Sequence, residues 1–119
     1  MRIDIATSAF TGKRTRRRPV DPLLKAVLAL AGGYAECSYH RHKPWASITF
    51  SGGRHHIGLA FSGADAVHMA EHFIAELPDH EFSIAGKLVA EARIVDVDHR
   101  LLPDERLNLA LEILLLDEC

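Results

Sequence analysis

Hydrophobic positions along this chain repeat with two different periods, and the change of period separates predicted strands from predicted helices. Apolar and polar residues alternate over residues 2–10, which predicts a first strand. Residues 20–33 instead place their apolar side chains on one side of a helix. Asp21 is the expected cap of that helix, Pro22 suits its first position, and Gly32-Gly33 ends it.

The middle of the chain predicts a meander of three strands. The strands are expected at residues 34–42, 45–50 and 54–61. Lys43-Pro44 is expected to break the first strand from the second, and Gly52-Gly53 to form a tight turn before the third.

The second half predicts one more helix and two long strands. Residues 62–78 have helical spacing, with Ser62 as a candidate cap and Pro78 as the stop. Residues 82–98 alternate and predict a strand. Residues 106–116 have a leucine or isoleucine at every second position, although Leu, Ala and Glu by themselves favour a helix. We predict a strand there because the two-residue period is unbroken.

These elements give the order β-α-β-β-β-α-β-β. The predicted fold is a single α+β domain over residues 1–119, with a mainly antiparallel sheet and two helices packed on one face. Leu107 to Leu116 would form an apolar edge strand, and such an edge has to be covered.

Composition is that of a globular domain with a substantial core, since 48% of the residues are hydrophobic and 25% are charged. Asp4 interrupts any apolar leader, and no apolar run approaches the ~20 residues of a membrane span. The two cysteines, Cys37 and Cys119, have no disulfide or zinc-knuckle spacing. A cytoplasmic protein without membrane contact or cofactor is expected.

Charge is divided unevenly along the chain. Residues 1–59 contain ten Lys and Arg against three Asp and Glu, a net +7, whereas residues 60–119 contain four against thirteen, a net −9. The sharpest feature is the basic loop, which suits contacts with phosphates or with an acidic protein surface. It consists of Lys13, Arg14, Arg16, Arg17 and Arg18.

Histidine is frequent, with eight in the chain, and the stretch His68-Met69-Ala70-Glu71-His72 resembles the zinc-binding helix of the inverted zinc peptidases. The resemblance implies a further glutamate ligand from a distant downstream helix, and the chain ends before one. A helical wheel also turns His68 and His72 away from the apolar side, so a solvated helix face is the simpler interpretation.

Two other histidine pairs occur in the predicted meander. His40 and His42 share one side of their strand, because side chains alternate. His55 and His56 start the third predicted strand and are therefore expected at the far end from that pair. A cluster of His40, His42 and His68 is conceivable, and the candidate metal ligands are His40, His42, His68 and His72.

Residues 42–77, HKPWASITFSGGRHHIGLAFSGADAVHMAEHFIAEL, resemble the stretch of the double-stranded RNA-binding domain from its second strand into its last helix. The resemblance implies the order helix, three strands, helix over residues 21–77. The family's lysines at the start of the last helix are missing here, and Asp65 occupies that region. The resemblance therefore implies architecture and not RNA binding.

The predicted function follows from the missing catalytic motifs, the uneven charge and the apolar strand near the carboxyl end. No nucleophile elbow, phosphate loop or dinucleotide fingerprint occurs, so a non-enzymatic domain that binds a protein partner or itself, as a homodimer, is the first expectation. Nucleic-acid binding through the basic loop is the alternative. A histidine-based metal-binding protein is the second alternative.

Overall fold

The computed structural model describes residues 21–118, which form two helices and one four-stranded antiparallel sheet. The elements are α1 (Pro22–Leu30), β1 (Ala35–Ala46), β2 (Ser51–Ser62), α2 (Ala64–Glu76), a 3-10 turn (Leu77–Asp79), β3 (Lys87–Arg100) and β4 (Arg106–Asp117). The α+β prediction is confirmed. The strand predicted at residues 2–10 and the basic loop Lys13–Arg18 lie outside the described residues.

Helix α1 begins where the sequence predicted it. The Asp21 carboxylate accepts hydrogen bonds from the backbone N–H groups of Leu23 and Leu24, at 2.8 and 3.2 Å, so two amides that lack a helical partner are satisfied. Pro22 occupies the first turn, where its missing N–H costs nothing. Leu23 and Val27 are buried and fix which side of the helix faces the sheet.

Between the helices the chain forms one long hairpin, and the predicted meander of three strands is wrong. The hairpin turns at residues 47–50, where the Ser47 N–H donates to the Phe50 carbonyl at 2.7 Å. Pro44 does not break β1; it pairs with Gly53. A proline is accepted there because, in the sheet that residues 21–118 form, β1 is an edge strand and one side of its backbone has no strand partner.

Gly52 and Gly53 lie inside β2, and the turn predicted at this pair does not exist. A Cβ atom on Gly52 would lie 2.0 Å from the Leu115 carbonyl oxygen, and one on Gly53 would lie 2.4 Å from Nε2 of His42. These glycines therefore mark places where a strand or a ring comes too close for a side chain.

The sheet has the order β1-β2-β4-β3, with every neighbouring pair antiparallel. The strand prediction for residues 106–116 is correct, because β4 covers Arg106–Asp117. Its predicted position at a sheet edge is wrong: β4 lies between β2 and β3. The apolar strand is covered by its neighbours and by the helices, so it leaves no edge to be protected.

The core lies between the helices and one face of the two central strands. Phe61 of β2 and Phe73 of α2 meet in it with ring centroids 6.3 Å apart. Alternate residues of β2 and β4 point into it, as the two-residue period predicted. The buried side chains include Leu23, Val27, Ile57, Leu59, Phe61, Val67, Ala70, Phe73, Leu77, Leu107, Leu109, Leu111 and Ile113.

Helix α2 has the predicted inner face and a different start. Its cap position is Gly63, without a side-chain hydrogen bond, because Ser62 is still the last residue of β2. The helix ends at Glu76, two residues before Pro78. At 13 residues it is the longer helix, and no helix in the described part of the chain is long and apolar enough to cross a membrane.

The order of elements also differs from that of the double-stranded RNA-binding domain. Two strands, β1 and β2, separate α1 from α2, and the two remaining strands follow α2. The likeness rested on the stretch at residues 45–50 being a strand of its own. The start of that stretch belongs to β1 and its end forms the hairpin turn, so the architectural resemblance is not supported.

Replacing either of two glycines of β2, Gly52 or Gly53, by alanine should destabilise the protein, and the two losses should differ in size. Gly52→Ala forces a Cβ against the backbone of the central strand β4, which cannot move aside, and we expect the free energy of unfolding to fall by about 3 kcal/mol. Gly53→Ala meets only the His42 ring, which can rotate, and should cost about 1 kcal/mol. Urea unfolding of both variants measures the difference. Equal losses would show that the close backbone approach at Gly52 is not a constraint.

Candidate functional site

The register of the hairpin brings three histidines together on the helix side of the sheet. His42 pairs with His55, and His40 pairs with Ile57, a core residue. The expectation that His55 lies far from His40 and His42 is therefore wrong. It assumed a turn at Gly52-Gly53, whereas the true turn at residues 47–50 folds β2 back onto β1. We call His40, His42 and His55 the histidine cluster.

His55 is the centre of the histidine cluster. Its Nδ1 lies 2.9 Å from Nε2 of His40, a hydrogen bond in which one ring donates and the other accepts. The His42 ring stacks on the other side, with its centroid 4.7 Å from that of His55. His55 is 7% exposed and is the one buried polar side chain of residues 21–118. Its hydrogen bond to His40 offsets part of the cost of burying it.

The histidine cluster forms one wall of a cavity of about 400 Å³. The first turn of α1 forms a second wall, and the segment before β3 closes the third. Gly53 leaves the space that the His42 ring occupies. The other lining residues are Asp21, Pro22, Leu23, Ile84, Ala85, Lys87 and Leu115. The cavity is thus mixed, with imidazoles on one side and apolar atoms on the other.

Burial keeps two of the imidazoles neutral at neutral pH. Burial is the largest cause that lowers the pKa of His55 to about 4, and nearby His40 and His42 contribute, because a second positive charge is unfavourable there. Burial also lowers the pKa of His40, although the Asp21 carboxylate acts in the opposite direction. Neutral rings retain a nitrogen lone pair, which can accept a hydrogen bond or bind a metal ion.

The predicted metal set is divided between two places. His40 and His42 belong to the histidine cluster, whereas His68 and His72 lie on the exposed side of α2, with ring centroids 4.9 Å apart. His68 also lies 3.9 Å from the Glu71 carboxylate. In residues 21–118 no three His, Cys, Asp or Glu side chains already have the arrangement of a metal centre.

The sequence did not identify His55 as a member of the site. Its position follows from the turn, since His42 lies five residues before Ser47 and His55 five residues after Phe50. Ile48 and Phe50 are of residue types that favour strands, so the sequence predicted a strand where the chain turns. A hairpin centred on residues 47–50 would have brought the two histidines opposite each other.

Cys37 lies in β1, inside the strand predicted at residues 34–42, and is exposed. Its Sγ donates to the Tyr39 carbonyl oxygen at 3.3 Å. Partial desolvation of the sulfur raises the pKa of the thiol, an effect that this hydrogen bond only partly offsets. The reactive thiolate is therefore scarce at neutral pH.

A second surface of interest is the open face, the side of the sheet opposite the helices. Because Ile57 and Leu111 point into the core, their neighbours His56 and Glu112 point to the open face. Glu112 is held by Arg93 and lies 3.8 Å from Arg54. Ion pairs therefore cross the central strands of this face.

Charges on the open face differ between its two sides. The middle of the β1–β2 side carries three basic side chains, and the middle of the β4–β3 side carries three acidic side chains against one basic one. The basic residues are Arg41, Lys43 and Arg54; the others are Glu91, Asp96, Glu112 and Arg93. The basic side and the acidic side are complementary in charge. Within one chain they cannot contact each other, because both belong to the same sheet.

One end of the open face is apolar. Trp45 pairs with Gly52, which pairs with Leu116, and Leu116 pairs with Leu88, so these four residues form one row across all four strands. Leu88 is 50% exposed, and Phe50 in the adjoining turn is 52% exposed. Exposed apolar groups gathered at one end of a polar face are typical of a contact surface.

Comparisons with known proteins give no match for this chain. No protein-family model, curated protein or solved structure matches it.

The lowered pKa of His55 predicts a loss of stability in mild acid. Between about pH 6.5 and pH 4 the unfolded chain binds a proton at this residue that the folded chain does not. The free energy of unfolding therefore has its full value above about pH 6.5. It falls by on the order of 2–3 kcal/mol as the pH is lowered to 4. The variant His55→Leu should lose most of this dependence in urea unfolding at pH 7.5 and pH 5 with a chelator present.

The matched control for this experiment is His68→Leu, which replaces an exposed histidine of α2. It should retain the pH dependence of the original protein. If His55→Leu kept the same difference between the two pH values, burial of His55 would not be the source of the acid sensitivity.

Proposed function

We propose that this protein functions by binding a second copy of itself, forming a homodimer in which two open faces stack. The observation that carries the proposal is the charge layout of the open face, basic on the β1–β2 side and acidic on the β4–β3 side. The dimer is proposed to form in the cytosol, which is the location that the sequence predicts.

A two-fold axis parallel to the strands makes the layout self-complementary. Such an axis lays β1 of one copy over β3 of the other, so the basic side of each copy faces the acidic side of its partner. Lys43 then lies over Glu91, and Arg41 lies over Arg93, with Glu91 and Asp96 in the two neighbouring rows. Complementary charge of this kind selects the partner and its orientation more than it adds affinity.

The apolar end supplies the part of the contact that excludes water. In the same arrangement Trp45 lies over the region of Leu88, at the end where both copies present apolar atoms. Phe50 extends this patch from the adjoining turn. Aromatic residues of this type contribute most of the binding energy in many interfaces.

The size of the open face fits a stable dimer. Four strands of 12 to 14 residues, at about 4.8 Å between strands and about 3.3 Å per residue, give roughly 760 Å² per copy. Two stacked copies would therefore bury roughly 1,500 Å², within the range of specific interfaces. Sheets that pack in this way lie about 10 Å apart, which the side chains of the face can fill.

The edges of the sheet favour the face over edge-to-edge pairing. Pro44 and a register shift between Cys37 and Tyr39 interrupt β1, and β3 has two register shifts, near Val89 and near Ile94. Prolines and bulges of this kind are the usual devices that prevent a strand from pairing with another molecule. Stacking through the open face needs no free edge.

Nucleic-acid binding is the alternative function. This alternative rests on the basic loop at Lys13–Arg18, which lies outside the described residues. The open face provides further cations. The Arg41 guanidinium lies 4.9 Å from the centre of the Tyr39 ring, and Lys43 is close by. Such a strip could contact phosphates, while Glu91 and Asp96 on the same face would repel them.

Charge reversal tests the dimer. We expect Arg41→Glu/Lys43→Glu to weaken self-association at least tenfold, because the reversed side would face the acidic side of its partner. Glu91→Lys/Asp96→Lys should weaken it equally by making both sides basic. A mixture of the two variants should form a heterodimer, since each reversed side then meets its complement. Sedimentation velocity over a range of concentrations measures all three samples.

The control is Glu71→Lys/Glu76→Lys, an equal change of charge on the exposed side of α2, which should leave the dimer intact. A strict monomer at high concentration, or a dimer that none of the variants weakens, would contradict the proposal. Fluorescence anisotropy with labelled duplex RNA and DNA separates the alternative: salt-sensitive binding that Arg41→Glu/Lys43→Glu abolishes in a monomeric protein would favour nucleic acid.

Trp45 provides an independent measure, since it is the single tryptophan of the chain and is half-buried in one copy. If two open faces stack, the ring loses contact with water on dimerisation. Its emission maximum should therefore move to shorter wavelength as concentration rises, in step with the sedimentation data. In Arg41→Glu/Lys43→Glu the maximum should stay at the monomer position. Emission that did not change while the protein dimerised would place the contact elsewhere.

A further inference from the structure

The histidine cluster brings imidazole nitrogens to the spacing of metal ligands. We propose that it binds a divalent transition-metal ion of the zinc, nickel or copper class, with Nε2 of His40 and Nδ1 of His55 as the first two ligands. This proposal is independent of the proposed self-association. It uses the opposite face of the sheet, and neither inference depends on the other.

The distance between the two nitrogens carries the proposal. Nε2 of His40 and Nδ1 of His55 are 2.9 Å apart. Two nitrogens that bind one tetrahedral zinc ion at about 2.0–2.1 Å lie about 3.3 Å apart. A metal ion can therefore replace the hydrogen-bonding proton between the rings with a shift of a few tenths of an ångström. The two rings are already held together by their hydrogen bond, so little freedom is lost on binding.

His42 is the third ligand in this proposal. Its ring stacks on His55 and has no hydrogen bond among those found in the described part of the chain. Its Nε2 lies in the space above Gly53, where a larger residue would exclude the ring. In this proposal the ring rotates about its side-chain bonds to complete a three-nitrogen site. The ready-made part of the site thus consists of two ligands.

The composition of the cavity selects the class of ion. The histidines line the cavity with imidazole nitrogens, and imidazole suits zinc, copper and nickel, whereas magnesium and calcium prefer oxygen. Asp21 lines the cavity, but its Oδ1 is engaged by two amides of α1, and the helix cap would be lost if that atom became a ligand. Lys87, also in the wall, pairs with Asp117.

Isothermal titration of the untagged full chain with zinc chloride tests the proposal. We expect one ion per chain, and His40→Gln/His55→Gln should weaken the affinity at least 100-fold. The matched control is His68→Gln/His72→Gln, which removes the other close histidine pair and should leave binding unchanged. Loss of binding in the control and not in His40→Gln/His55→Gln would show a surface site only and would overturn the proposal, as would no binding at all.

Nitrogen-15 NMR of the histidine rings provides the second readout, which does not depend on the variants. Zinc should shift Nε2 of His40 and Nδ1 of His55, since the structure assigns a different nitrogen in each ring. Folding of His40→Gln/His55→Gln is checked by its backbone spectrum. If that variant does not fold, the NMR assignment decides: shifts at Nε2 of His68 and His72 alone would reject the histidine cluster.

Discussion

The pairing of β2 with β4 is the constraint on which the rest of this structure depends. The two strands run antiparallel through the middle of the sheet, and alternate residues of both point to the same side. Ile57 opposite Leu111 and Leu59 opposite Leu109 form the floor of the core, onto which α1 and α2 pack. A shift of one residue in this register would turn Leu107, Leu109 and Leu111 to the open face, so the apolar pattern excludes that shift.

Both candidate sites follow from that alignment. Since β2 is fixed by β4, the turn at residues 47–50 alone decides which residue of β1 lies opposite His55. The turn selects His42, and the histidine cluster results. The same pairing turns Arg54 and Glu112 to the open face, where their charges divide a basic side from an acidic one. One register therefore builds a nitrogen-rich cavity on one face and, on the other, a surface with a basic side and an acidic side.

The close approach at Gly52 shows how strictly this register is enforced. No side chain fits between β2 and the backbone of β4 at that position, and the neighbouring Gly53 gives its space to the His42 ring. From the sequence, two adjacent glycines indicated a turn, because that is their commonest use in hairpins. Only the packed sheet distinguishes a glycine that bends the chain from one that admits a neighbour.

The sequence by itself determined the α+β class, both helices with the cap at Asp21, and β4 as a strand. These features depend on local chemistry and on periodicity, which neighbouring residues carry. The hairpin turn, the central position of β4 and the meeting of His55 with His40 and His42 were decided by the tertiary structure. Each of them depends on pairing between residues far apart in the chain, and the propensities of Ile48 and Phe50 pointed to a strand where the chain turns.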